Sequence, residues 1–327
     1  MDVQLQTLII NAFQSLSPLP QRSYLVIIDG LDECHDKTTQ QLILRLLCET
    51  ITVHKLPLRF LIGSRPESHI RAIFDQESLY TITHRVVLDE TFNPGRDIRV
   101  FLQDGFAKIC ANNSILSHME QPWPKEGIID LLVQRSSGQF IYAATVLKFV
   151  GADFCSPTKQ LALVLKPDPT AFSDLDQLYT QILSVYPSAV NIVQILGIII
   201  TSGQNLPEVI EDILGMEEGE LKLVLRGLSS LMDENGKSLN KGSYFIPHFA
   251  QGRPKLVPPG LSSLMEENGK CLNKELYVIP HFAHASFSDY LFDSSRSGPF
   301  HVNRQEYENQ LTIRSFALII QSIRSWG

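Results

Sequence analysis

Apolar positions fall into two regimes along the chain. Between Met1 and Leu16, Leu5, Leu8, Ile9 and Phe13 recur at helical spacing and predict an amphipathic helix. After a loop with Pro18 and Pro20 comes Tyr24–Ile28, a continuous apolar run that suits a strand buried in a parallel sheet. Helical spacing returns at Leu42, Leu46, Leu47 and Ile51 within Thr38–Val53. It is followed by a second strand at Leu58–Ile62, a helix at Glu67–Phe74 and a third short strand at Thr83–Leu88. Strand, helix and strand in alternation predict an α/β unit with parallel strands.

From about Asn93 the pattern turns to helices alone. Apolar stripes mark Asp97–Ala111, Lys125–Arg135, Gln139–Phe149, Leu175–Val185, Asn191–Ile200, Pro207–Leu214 and Leu221–Met232. Hairpin-like and helical pieces continue to Asp293, and Gln305–Ile323 forms a last amphipathic stripe. The fold class expected is therefore α/β followed by all-α, in four segments: 1–92, a helical domain at 93–166, a winged-helix-like domain at 167–302, and a C-terminal helix at 303–327.

One segment occurs twice. Gly227–Ala250 recurs as Gly260–Ala283 with 19 of 24 positions identical. Two copies are too few for a solenoid. A local duplication is expected, in which one copy packs and the other loops out. The second copy is the one expected to pack, because it alone runs on into His284.

Composition narrows the function classes. The 44% hydrophobic and 19% charged residues suit a core-forming globular chain, and the net charge of −7 is spread without a dense Lys/Arg cluster, so nucleic acid is not an expected partner. Cys34, Cys48, Cys110, Cys155 and Cys271 are scattered and lack CxxC spacing, which fits reduced thiols in a cytoplasmic setting. The most apolar stretch, Ile192–Ile200, is far shorter than the roughly 20 residues of a membrane span, and none is predicted.

Candidate chemistry gathers at the two strand ends. Tyr24–Ile28 runs into Asp29-Gly30-Leu31-Asp32-Glu33, and an acid at the carboxyl end of a buried strand stands where α/β sheets bind ligands. Three carboxylates so close repel unless a cation or a base-like role compensates. Leu58–Ile62 runs into Gly63-Ser64-Arg65-Pro66, placing a guanidinium suited to phosphate at the second tip.

Asp29–Glu33, Pro57–Pro66 and Ser136–Ala143 together resemble the NACHT proteins of filamentous and mushroom-forming fungi, members of the STAND class of signal-transduction NTPases. The similarity runs from the first helix to about Val302. It implies a partial P-loop NTPase sheet followed by a helical domain and a winged helix. By position it implies Asp29 as the Walker B ligand of Mg²⁺, Asp32 and Glu33 as the acids of hydrolysis or water positioning, and Arg65 as the sensor arginine. His284-Ala285-Ser286-Phe287 resembles the family's winged-helix motif, whose histidine contacts the β-phosphate of ADP. The implied cofactors are Mg²⁺ with ATP, ADP or GTP.

Departures from the family bear on activity. A GxxxxGK[ST] loop is expected upstream of the Walker B strand, yet the sequence begins some 25 residues before Asp29. Gly236-Lys237-Ser238 ends like that loop, but Leu231 stands at its first glycine position. Phe140 takes the place of a proline that packs on adenine in many relatives. The expectation is a truncated NACHT-type switch that does not hydrolyse nucleotide by itself, with protein partners, among them a full-length NACHT protein. A complete ATP- or GTP-dependent switch whose first half is missing, and a helical interaction module without nucleotide, are the alternatives.

Overall fold

The computed structural model describes residues 6–16, 22–34, 36–114, 116–119, 122–153, 155–167, 171–185, 189–202, 207–217, 219–232 and 282–310, with short pieces at 238–239, 248–250, 253–255, 277–278 and 312–313. They divide into two compact units, 1–88 and 89–327.

The first unit holds the sheet. A π-type turn at Gln6–Ile10 leads into α1 (Asn11–Gln14), and then come β1 (Tyr24–Ile28), α2 (Lys37–Thr52), β2 (Leu58–Ile62), α3 (Ser68–Phe74) and α4 (Glu77–Tyr80). β1 and β2 pair in parallel from Tyr24 opposite Leu58 to Ile28 opposite Ile62, so both tips end at one level. Asp36 caps α2 by accepting from the Thr39 amide at 2.7 Å, which fixes where that helix begins. Two small cores hold the unit. Leu31, Leu44, Cys48, Ile70, Ile73 and Leu79 form one, and Ile10, Leu56 and Leu58 form the other.

The run expected to be a third strand, 83–88, joins no ladder; Val87 and Leu88 are 71% and 84% exposed. Its neighbours explain this. Arg85 pairs with Asp75 at 2.8 Å and lies over the Phe74 ring at 5.6 Å, so the segment is tied to the end of α3 and not to a sheet edge.

The second unit is helical: α5 (Pro94–Asn112), α6 (Glu126–Ser136), α7 (Phe140–Val150), α8 (Pro157–Leu165), α9 (Asp174–Leu183), α10 (Ala189–Ser202), α11 (Pro207–Leu214), α12 (Glu220–Gly227), α13 (Ala285–Phe292) and α14 (Ser294–Ser297). One hydrophobic core runs from Ile98 to Tyr307, with Leu178, Ile182, Leu196, Tyr290 and Leu291 among its most buried residues. α8 was not foreseen. α12 ends at Gly227, five residues before the expected Met232, where a poor helix former is followed by Ser229 and Ser230. The strand pieces Ser238–Leu239 with Tyr277–Val278, and His248–Ala250 with Arg253–Lys255, pair antiparallel.

Most of the duplicated segment lies outside the described residues, Gly236 and Lys237 included. Its two ends are informative. Leu228, Leu231 and Met232 of the first copy are buried, Met232 bridges Phe282 of the second, and the Ala283 amide donates to Leu231 O at 2.9 Å. The packed arrangement therefore takes its beginning from one copy and its end from the other. Beyond Val302, residues 304–310 are helical, and most of the expected Gln305–Ile323 helix lies outside the described residues.

No helix among the described residues is long and apolar enough to cross a membrane.

Candidate functional site

At the sheet tips a set of short backbone bonds holds two turns together. The Gly63 amide donates to Ile28 O at 2.8 Å, and the Leu31 amide donates to Gly63 O at 3.1 Å. Leu31 is fully buried and anchors the first turn in the core. Gly30 supports that turn with φ +68°, a conformation that strains any residue with a Cβ. Gly63 answers a different need: a Cβ there would lie 2.6 Å from Asp29 Oδ1, so the Asp29 carboxylate rests over bare backbone.

Asp29, Asp32, Glu33 and Arg65 all belong to this tip, in unequal surroundings. Asp29 and Glu33 are exposed. Asp32 is drawn inward. Its Oδ1 accepts from the Arg65 amide at 2.9 Å and lies 3.2 Å from the Ser64 hydroxyl, and its Oδ2 is 3.4 Å from Arg65 Nε. The Asp32 side chain is 9% exposed against 38% for Arg65. The negative charge of Asp32 is thus matched locally, which leaves Asp29 and Glu33 as the solvent-facing acids.

Gln40 on α2 ties the same turn from below. Its amide nitrogen donates to Asp32 O at 2.9 Å and to Cys34 O at 2.8 Å, and its amide oxygen meets His69 Nε2. Since the nitrogen faces two carbonyls, the oxygen is an acceptor, and His69 carries its proton on Nε2. Gln40 and Ser64 were missed from sequence. The available signal was a glutamine on the α2 face that buries Leu44.

Among the described residues, no three His, Cys, Asp or Glu side chains converge to hold a metal ion. What is present fits a looser arrangement. Mg²⁺ keeps most of its waters and takes one or two carboxylates together with substrate phosphates. Asp29, exposed beyond β1, can serve that way.

His284, in the second unit, opens α13. Its Nδ1 accepts from the Ser286 amide at 3.1 Å, capping the helix. An amide can only donate, so the neutral ring bears its proton on Nε2. The Ser286 hydroxyl lies 2.6 Å from the same Nδ1 and 2.8 Å from Tyr179 O–H. Burial pushes the Tyr179 phenol up to about 12, so it stays a donor, and the chain runs from Tyr179 through Ser286 to His284. Phe287 and Tyr290 of the same motif are core residues, stacked at 6.1 Å between ring centres.

His284 also lines an open cleft of about 520 Å³ with Phe101, Gln139, Phe140, Ile141 and Ala144. Phe140 packs edge-on against Phe101 at 5.8 Å. The two positions singled out in this half of the chain, Phe140 and His284, thus share one cleft. Phe101, which completes its aromatic wall, was not anticipated.

A family model described as nephrocystin 3, N-terminal, matches residues 2–65, a span that takes in both strands, all three acids and Arg65. No curated protein and no solved structure matches the chain. Over residues 2–65 the chain is similar to the nephrocystin 3 N-terminal family.

Proposed function

We propose that residues 1–88 form the Mg²⁺ side of a NACHT-type nucleotide switch and that the chain acts in signalling through protein partners, not as an NTP-hydrolysing enzyme. The observation that carries this reading is the pair of parallel strands whose tips end level, one bearing Asp29 over the bare backbone of Gly63, the other bearing Arg65. Ligands of open parallel sheets bind at such carboxyl ends. Asp29 would hold Mg²⁺ through water, Glu33 faces solvent beside it, and Arg65 supplies a positive charge for phosphate. Within the second unit, His284 and Phe140 line one cleft of their own. The 327 residues contain no GxxxxGK[ST] loop to cradle phosphates, so hydrolysis by this chain alone is not expected.

The test is Mg²⁺-dependent binding of a fluorescent ADP analogue to the purified chain, with Asp29→Ala as control. Saturable binding that is lost in the control supports the reading; absence of saturable binding by the wild-type chain refutes it.

A second reading, an interaction module without nucleotide, is favoured by the sheet's open face. Leu25, Ile27 and Leu61 are 61%, 66% and 57% exposed, and parallel sheets are ordinarily covered on both faces. Under this reading Ile27→Lys abolishes partner capture while Asp29→Ala leaves it intact.

A further inference from the structure

We infer that Asp32 is a positioning residue: it fixes the Gly63–Arg65 turn and the Arg65 side chain, and the acid left to order a water or a metal's hydration shell is Glu33. Family position alone would give Asp32 and Glu33 the same part. The geometry separates them.

A carboxylate that takes a proton from water, or orders one, needs an accessible lone pair within hydrogen-bond reach. Asp32 has little to offer. One oxygen serves the Arg65 amide and lies beside the Ser64 hydroxyl, the other faces Arg65 Nε, and the side chain is nearly buried. Its main-chain carbonyl accepts from Gln40, which fixes the backbone from which the carboxylate reaches the Arg65 turn. Protonation would also discard the charge that faces the guanidinium. Glu33 is exposed and lies against the Gly30 backbone, with its carboxyl carbon 3.3 Å from where a Cβ on Gly30 would be. No hydrogen bond or ion pair ties its side chain among the described residues, so it can swing toward the Asp29 tip.

The two tips are thus joined by a chain of bonds from α2 through Gln40 to Asp32 and on to Ser64 and Arg65. Asp32 acts through Arg65. Its loss lets the arginine wander, whereas loss of Glu33 leaves the arginine where it is.

The structural part of this assignment is tested without any ligand, by amide hydrogen exchange on the full 327-residue chain. Asp32→Ala is expected to speed exchange of the Arg65 amide by about tenfold or more, since a charge-assisted bond is removed. Asp32→Asn, which keeps an acceptor oxygen, restores it to within about threefold, and Glu33→Gln leaves it unchanged. Arg65 protection that survives Asp32→Ala overturns the assignment. Should Asp32→Ala not fold, the Arg65 Nε–H in Asp32→Asn reads the same tie: faster exchange is expected, and unaltered exchange overturns it.

The division of labour with Glu33 rests on the nucleotide reading above. Binding of Mn²⁺ with ADP, followed by the loss of the free-ion resonance signal, tests it. Asp32→Asn and Arg65→Gln each weaken binding, and the double variant is expected to be no weaker than the worse single one. Additive losses would mean that Asp32 contacts the ligand itself. Glu33→Gln adds its own loss to either; a Glu33→Gln chain that binds like the wild type overturns the Glu33 part. A wild-type chain that binds neither Mn²⁺ nor ADP removes the nucleotide reading and the Glu33 part with it, while the exchange result still decides the role of Asp32.

Discussion

The two units solve the problem of burial in opposite ways. In the helical unit one continuous core encloses Leu178, Ile182, Tyr290 and Leu291, none more than 1% exposed. In the sheet unit the strand that carries Asp29 is exposed along almost its whole length: Tyr24 is 51% open, and Leu25 and Ile27 more so. One extended apolar core supports the helical unit, whereas the sheet unit has two small cores with polar ties added at its tips. The site-bearing turns are held by Asp32, Ser64 and Gln40, with Leu31 as their one deep apolar anchor.

The sharpest way to break this contrast is to remove a core aromatic from the helical unit. Phe287 is 1% exposed and packs on Tyr179, Tyr290 and Phe282. Phe287→Ala is expected to cost about 3–5 kcal/mol in denaturant unfolding, and a loss under about 1 kcal/mol would show that the core is loose there.

Alkali should act on the same unit. Burial pushes Tyr142, Tyr179 and Tyr290 up to about 12 from the ordinary 10. Above pH 10 the unfolded chain gives up these protons while the folded chain keeps them, so stability falls between 10 and about 12. Each tyrosine contributes roughly 1.4 kcal/mol per pH unit. Tyrosinate absorbance measured alongside unfolding checks this, and early ionisation in the native state would contradict it.

Deleting Asp233–Met265, one repeat length, is expected to leave the helical core intact and to stabilise it by about 1 kcal/mol, because the connection between Met232 and Phe282 then closes a much shorter loop. A lower melting temperature would show that the deleted residues contribute contacts of their own.

The smallest effect on stability belongs to the sheet unit. In Gly63→Ala the new methyl meets only the end of the exposed Asp29 side chain, which can swing aside, so unfolding should move by about 0.5 kcal/mol or less. The displaced carboxylate should nevertheless weaken Mg²⁺-dependent nucleotide binding as Asp29→Ala does. A stability loss without a binding change would reverse the assigned role of Gly63.

Periodicity made the helices legible, since stripes such as Leu42, Leu46, Leu47 and Ile51 need nothing beyond their own neighbours to be read. β1 and β2 were legible as apolar runs, and the acids and Arg65 as the residues that follow them. The buried setting expected for β1 is not what the structure shows, since its first four residues are exposed. The 83–88 run was misread because a strand is decided by its partner, and Arg85 found its partners in Asp75 and Phe74. Gln40, Ser64, Phe101 and Tyr179 escaped for the same reason. Each matters through a contact distant in sequence, such as Gln40 to His69 and Tyr179 to Ser286. The partition of the three acids was likewise invisible, because only folding brings the Arg65 amide to Asp32 and not to Glu33.

The bridge between Met232 and Phe282 joins the head of one repeat to the tail of the other. Recombination between the copies can add or remove one repeat length without changing either residue of that bridge or anything outside it. A change of length here thus reaches the core only through the size of the loop that the bridge closes.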